Sequence, residues 1–234
     1  MQPLPVPPPP PRLGGLHGTY LGRVVSVNDP EDLARVQVRL VSTPEATGDA
    51  DATLWARVAV PFAGAGRGAF LLPDVEDEVA LVFVNGDPRQ PLVVGGLWNG
   101  SARPPETLGG GKQRVDRYTL VSAQGSRIAI VEETQGQATL SLSTPGGQSV
   151  TITQSEGGKI VLTAAGNTVT LDTKGVTVET PLSVKVSASR VEVSAAQVQV
   201  NAAMSTFAGI VKCDVLQATT VVAATYTPGA GNVW

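Results

Sequence analysis

The chain has 234 residues, a formal net charge of −3 and one cysteine, Cys213, so it can form no intrachain disulfide and offers nucleic acid no electrostatic attraction. His17 is its only histidine, so no histidine cluster can form within one chain, although a symmetric oligomer could bring three copies together. Aromatic residues are 4% of the chain and hydrophobic residues 42%, mostly Val, Ala and Leu: a β-rich composition without large core-filling rings.

Residues 1–17 open with "MQPLPVPPPPPRLGG", which has no basic start followed by an apolar stretch and so does not read as a secretory signal. No twenty-residue apolar run follows anywhere, so no transmembrane helix is expected. The proline run predicts an extended polyproline II arm, either a solvated tail or a strap across a neighbouring subunit. Residues 18–98 read as five short strands. "GTYLGRVVSV" ends at the turn "NDPED"; "LARVQVRLV" alternates apolar and polar residues; "LWARVAVPF" leads into the Gly-rich turn "AGAGRGAF". "LLPDVEDEVALVFV" ends at "NGDPR", and "QPLVVGGLW" is the fifth. Five strands in about eighty residues suggest a small closed barrel, with the OB-fold as the commonest candidate.

Residues 99–139 are a loop followed by short strands broken by Gly and polar turns, a neck. From 140 to 225 the chain repeats. Apolar pairs stand one residue apart at Leu140/Leu142, Val150/Ile152, Ile160/Leu162, Val169/Leu171, Val176/Val178, Val184/Val186, Val191/Val193 and Val198/Val200. Their spacing tightens from ten residues to about seven. Residues i and i+2 face opposite sides of a helix but the same side of a strand, so this is a run of very short strands and not a coiled coil.

Such a strand cannot bury itself. One buried Val yields only about 1.5–3 kcal/mol, while ordering each residue costs about 1–2 kcal/mol. A single-chain solenoid typically spends about twenty residues per coil to close three faces. A seven- or eight-residue unit covers one face, so three chains would supply the three faces of a triangular prism. The expectation is an all-β chain: an N-terminal barrel, then an intertwined triple-stranded β-helix, in an obligate homotrimer with the sixteen paired residues at its axis.

The ordered pieces "GTYLGRVVSVNDPEDLARVQVRL" and "WARVAVPFAGAGRGAFLLPDVEDEVALVFVNGDPRQPLVVGGLWNG" resemble the central spike of contractile injection systems. This family includes the baseplate assembly protein V of contractile-tailed phages, the spike of extracellular injection particles and, more distantly, VgrG. The neck "VSAQGSRIAIVEETQGQ" resembles the family's transition segment, with Ser126 where a His often stands. The resemblance implies an OB-fold trimer that docks on a baseplate hub, nucleates baseplate assembly and points a β-helix at the target envelope, with no reaction and no cofactor. It implies assembly in the bacterial cytoplasm as part of a phage tail-like particle. Some relatives insert a lysozyme domain between barrel and helix; no paired-carboxylate constellation for one appears in the short neck. VgrG proteins carry hub domains ahead of the OB-fold; here seventeen residues precede it, so the expected hub is a separate protein.

An OB-fold that binds nucleic acid needs exposed aromatics and a basic groove. Trp55, Phe62, Phe70, Phe83 and Trp98 are expected instead to pack in or beside the strands. Asp74, Glu76, Asp77 and Glu78 read as a solvated strand entrance rather than a cation site, and Asp87 as a turn residue capping its own backbone. The end 226–234, "YTPGAGNVW", has no histidine for the iron apex of some phage spikes, so no metal is expected. Tyr226, Pro228, Gly229, Asn232 and Trp234 would give the trimer a blunt aromatic end that carries a PAAR-type tip protein; Trp234 could instead plug the shaft. Two rival readings are a trimeric receptor-binding fibre and a β-helical polysaccharide-degrading enzyme. Glu179 and Glu192 are too scattered to support the second.

Overall fold

The computed structural model describes residues 15–41, 53–111 and 113–225. They divide into two compact units, residues 1–183 and residues 184–234.

The first unit contains fourteen strands and two single 3-10 turns among the described residues. Five strands close a barrel: β1 (Tyr20–Ser26), β2 (Val36–Leu40), β3 (Thr53–Val58), β6 (Glu78–Phe83) and β7 (Pro91–Leu97), in the order β1-β2-β3-β7-β6. All pairings are antiparallel except β3 with β7, which is parallel. The small hairpin β4 (Ala63–Gly64) and β5 (Arg67–Gly68) occupies the Gly-rich stretch between β3 and β6. All five expected strands are present, in an OB-type Greek-key barrel.

Alternation builds the core. Val24, Val36, Val38, Ala56, Val79, Leu81 and Val93 point inward and are at most 1% exposed. Gly22 also points inward, where a Cβ would stand 2.5 Å from both Leu81 Cδ1 and Val38 Cγ1, so the barrel closes only around a residue with no side chain. Bulges at Val25 in β1 and Val94 in β7 shift the register and add the local twist that closure needs. The third and fourth strands are shorter than the sequence patterns. β3 stops at Val58, and β6 starts only at Glu78, after a turn in which the Asp77 carboxylate accepts the Asp74 N–H at 2.8 Å.

The barrel's β1–β2 turn is organised by Asp29, which is 7% exposed. Its carboxylate accepts the backbone N–H groups of Glu31, Leu33 and Arg35 and the fork of the Arg35 guanidinium, at 2.7–3.3 Å. The Arg35 hydrogen bonds hold the Asp29 carboxyl far below the ordinary carboxylate range, against the opposing effect of burial, and raise Arg35 in turn. Arg35 also lies 5.8 Å from the Trp55 ring centroid.

The unit's other seven strands form one antiparallel meander: β8 (Arg117–Val121), β9 (Arg127–Thr134), β10 (Gln137–Ser143), β11 (Ser149–Thr153), β12 (Lys159–Ala164), β13 (Asn167–Asp172) and β14 (Gly175–Glu179). Tight turns join them. Ala165 and Gly166, both at positive φ (50° and 80°), make the two-residue link whose twist matches the strands it joins. The sequence boundary between neck and shaft at 139/140 therefore falls inside β10. The neck strands and the first repeats are one sheet, because their apolar pairs are in register. The expected shaft of 140–225 also divides: its strands pair within the chain up to Glu179, and the second unit starts at residue 184.

Residues 184–225 of the second unit contain no strand, and no backbone–backbone hydrogen bond occurs among them. The chain bends at Ser189, Ala196, Ala203, Gly209, Asp214, Thr219 and Ala224, at intervals of seven, seven, six, five, five and five residues. The tightening metre read from the valines therefore continues to a five-residue unit, in which Val211, Leu216 and Val221 recur.

Candidate assembly surface

In an antiparallel sheet directly opposed residues share a face. The register sets Leu142, Val150, Leu162, Val169 and Val178 in one row, and Leu140, Ile152, Ile160, Leu171 and Val176 in a second, parallel row. All ten paired residues of the sheet thus line one face. The rows extend into the neck through Ile128 and Ile130 on β9, then Leu120 and Tyr118 on β8. Those four were missed from sequence, although Tyr118/Leu120 and Ile128/Ile130 carry the same i, i+2 signature.

The opposite face is built differently. Ser141, Thr151, Val161, Thr170 and Thr177 oppose one another there, as do Ser143, Ser149, Thr163 and Thr168. One sheet therefore has an apolar face and a hydroxyl-rich face. The apolar one is uncovered: Leu140, Leu142, Ile152 and Leu162 are 40–49% exposed, and Val176 and Val178 are 69% and 56% exposed. Its middle forms a cleft of about 800 Å³ lined by Leu120, Ile128, Leu142, Val150, Leu162 and Val169. A contiguous exposed apolar surface of this kind is the usual mark of an interaction site.

The other six expected core residues, Val184, Val186, Val191, Val193, Val198 and Val200, lie in the second unit and are 63–71% exposed. Their segment leaves both its apolar side chains and its backbone polar groups without protein partners among the described residues. Buried backbone groups are almost always paired, so such a segment is either solvated or completed by another chain. The tip residues Tyr226, Pro228, Gly229, Asn232 and Trp234 lie outside the described residues.

The neck loop is fastened to the sheet by a charge network that the sequence did not disclose. Glu106 accepts from Arg127 Nε at 2.6 Å and from Arg117 Nη1 at 3.3 Å. Arg127 also donates to Ser141 Oγ at 3.0 Å, and Arg117 pairs with Glu133. Asp116, 2% exposed, accepts the N–H groups of Gly109 and Gly110 and the Arg117 Nε. Arg127 lowers the Glu106 carboxyl; the Gly110 N–H, followed by Arg117, lowers Asp116. The five charged partners are spread over the sequence, up to 27 residues between Glu106 and Glu133, and the β8–β9 pairing with the folded-back neck loop brings them together.

Three of the five aromatic expectations are corrected. Phe83 is buried and stacks edge-on with Tyr20 at 5.3 Å, and Trp55 is half-buried. Phe62, Phe70 and Trp98 are instead 58%, 78% and 69% exposed. They stand beyond the ends of β3 and β7 or flank the small hairpin, where strand alternation no longer aims a side chain inward. The acidic stretch behaves as a turn. Glu76 pairs with Arg23 at 3.3 Å, and Glu78 accepts from Asn99 at 2.9 Å. Asp87 accepts the Arg89 N–H at 2.9 Å and both arms of its guanidinium, which lowers its carboxyl to about 2. Among the described residues no group of three His, Cys, Asp or Glu could hold a metal, and no helix is long and apolar enough to cross a membrane.

The described residues thus combine a closed OB-type barrel with an antiparallel meander whose apolar face is uncovered. Residues 20–98, about a third of the chain, match the family model described as the type VI secretion system/phage-baseplate injector OB domain. Among curated relatives, the type VI secretion system spike proteins VgrG4b and VgrG2a of Pseudomonas aeruginosa are 34% and 33% identical over 105 residues, 44% of this chain. The actin cross-linking toxin VgrG1 of Vibrio cholerae is 31% identical over 78 residues, 33% of this chain. The aligned stretches span 13%, 12% and 7% of these three relatives.

Proposed function

We propose that this chain is the central spike subunit of a contractile injection baseplate and works as a homotrimer. The observation that carries this reading is the uncovered two-row apolar face, continued in sequence by 184–225, a segment with no backbone pairing of its own. Three copies with their apolar faces turned inward would make a triangular prism with Ser and Thr outside. Three copies of 184–225 would then exchange backbone hydrogen bonds in an intertwined β-helix. The shortening bends, from seven residues to five, support a shaft that narrows towards its end.

On this reading the barrel docks on a separate baseplate hub and nucleates assembly in the bacterial cytoplasm. Sheath contraction drives the shaft through the target envelope, with a PAAR-type tip protein carried on residues 226–234. The role is mechanical; the chain performs no reaction, needs no cofactor and takes no nucleic acid partner. The toxin in the name of one relative does not transfer, because the alignment covers 7% of that protein. Native mass spectrometry of the purified chain tests the central claim. A trimer that persists in SDS at room temperature is expected, and a stable folded monomer would overturn it. Loss of tip-protein capture on deletion of 226–234 tests the tip assignment separately.

A further inference from the structure

The exposed phenylalanines of the barrel border a groove for which the spike reading has no use. Its volume is about 610 Å³, and its apolar lining includes Leu33, Val60, Phe62, Ala63, Phe70 and Leu72. Its charged lining is Arg57 and Arg67, with no carboxylate. Phe62 and Phe70, 58% and 78% exposed, flank the β4–β5 hairpin on either side. Grooves lined by aromatics are the usual receptors of polyproline II segments, which arrive extended and lose little entropy on binding.

This chain carries such a segment. Residues 1–14 include seven prolines, at positions 3, 5 and 7–11, with Leu4 and Val6 set between them. The segment is rooted where the Leu16 N–H donates to the Gly86 carbonyl at 3.0 Å, just ahead of β7. β3 runs parallel to β7 with Arg57 opposite Leu92 and Val58 opposite Val93, so the groove's Arg57 and Val58 lie beside the start of β7. A polyproline II helix rises ~3.1 Å per residue, so the eleven residues 4–14 have a reach of about 34 Å, ample for a groove that opens beside the start of β7.

We propose that residues 4–11 of each chain dock as a polyproline II strap in the Phe62/Phe70 groove of the same chain's barrel. The short tether gives the intramolecular contact a high effective concentration, which a strap from a neighbouring copy would lack. The strap would also cover an aromatic, carboxylate-free groove through which this OB-type barrel could stack single-stranded nucleic acid.

The test uses the full-length chain with Cys213→Ser, Pro8→Cys and Ala63→Cys, treated with a short bismaleimide and read by peptide mass spectrometry. Mixing ¹⁵N-labelled and unlabelled chains during refolding separates links within a chain from links between chains. A dominant light–light and heavy–heavy link is expected, its yield falling about tenfold when Phe62→Ser and Phe70→Ser are added. Both phenylalanines are exposed, and an unchanged melting transition of that variant certifies its fold. Links joining heavy to light chains, or a yield indifferent to the two serines, overturn the proposal. So does Phe-dependent binding of a dT oligonucleotide with no link formed, which would give the groove to nucleic acid.

Discussion

The barrel and the segment 184–225 spend similar side chains to opposite ends. The barrel buries Val24, Val36, Val38, Val79 and Val93 to 1% exposure or less. Closure lets each strand find two neighbours, so no edge is left and every inward valine meets others across the axis. The second unit holds Val184, Val186, Val191, Val193, Val198 and Val200 at 63–71% exposure, with no strand neighbour at all. The meander stands between these extremes: its backbone is paired within the chain, but one face is uncovered. A valine therefore says little alone. What decides its contribution is whether the same chain supplies the opposing surface.

The comparison can be broken most severely on the sheet. Leu162→Asp would place a charge on the apolar face, and if three such faces meet the cost should be about 3–5 kcal/mol per chain. The expected outcome in native mass spectrometry is loss of the trimer, while Thr170→Asp on the hydroxyl-rich face should keep it, shifting stability by about 0.5 kcal/mol or less. In the second unit, Val193→Ala removes two methylene equivalents, about 1.6 kcal/mol per chain at ~0.8 each, tripled in a trimer. The temperature at which SDS dissociates the assembly should fall, with the barrel's near-ultraviolet dichroism unchanged.

The barrel can be struck without touching the shaft. Gly22→Ala drives a methyl into Leu81 and Val38, an overpacking that typically costs about 1–3 kcal/mol. Its signature is a lower melting transition for the barrel, with SDS resistance of the shaft retained. The smallest effect concerns pH. Asp29 is depressed in the folded chain, so its stabilising contribution is complete above the unfolded carboxylate value near pH 4 and is lost as pH falls through the lower folded value. The melting difference between the natural chain and Asp29→Asn should be largest above pH 4 and shrink as the pH is lowered towards 2. A difference that grew on acidification would contradict the Arg35 pairing.

Much of this architecture was legible because strand alternation is a local property. "LARVQVRLV" announces β2 and its two inward valines, and each apolar pair from Leu140 onward marks one strand face. The same reasoning failed for Phe62, Phe70 and Trp98, which look like strand-end core residues but lie where the strands have already stopped. It also missed Tyr118/Leu120 and Ile128/Ile130, whose pairs are separated by polar turns before the metre becomes regular. Asp29 and Arg35 were visible as a turn and a charge, but nothing local announced that the carboxylate would gather three N–H groups and a guanidinium.

By itself the sequence determined the period: two residues for each strand face, and about ten shortening to seven for each repeat, fixed by covalent geometry and the preference of Val for extended backbone. It determined the punctuation too, through glycines and prolines at the turns. Only the tertiary structure decided which pairs share a surface, because register is a relation between distant strands and a one-residue slip would turn every side chain over. It set the rows of Leu142 to Val178 on one face and gathered Glu106, Arg117, Arg127 and Glu133 about the neck. It also placed the change from intrachain pairing to none after Glu179. That last point depends on the number of strands able to find a neighbour, which no single repeat records.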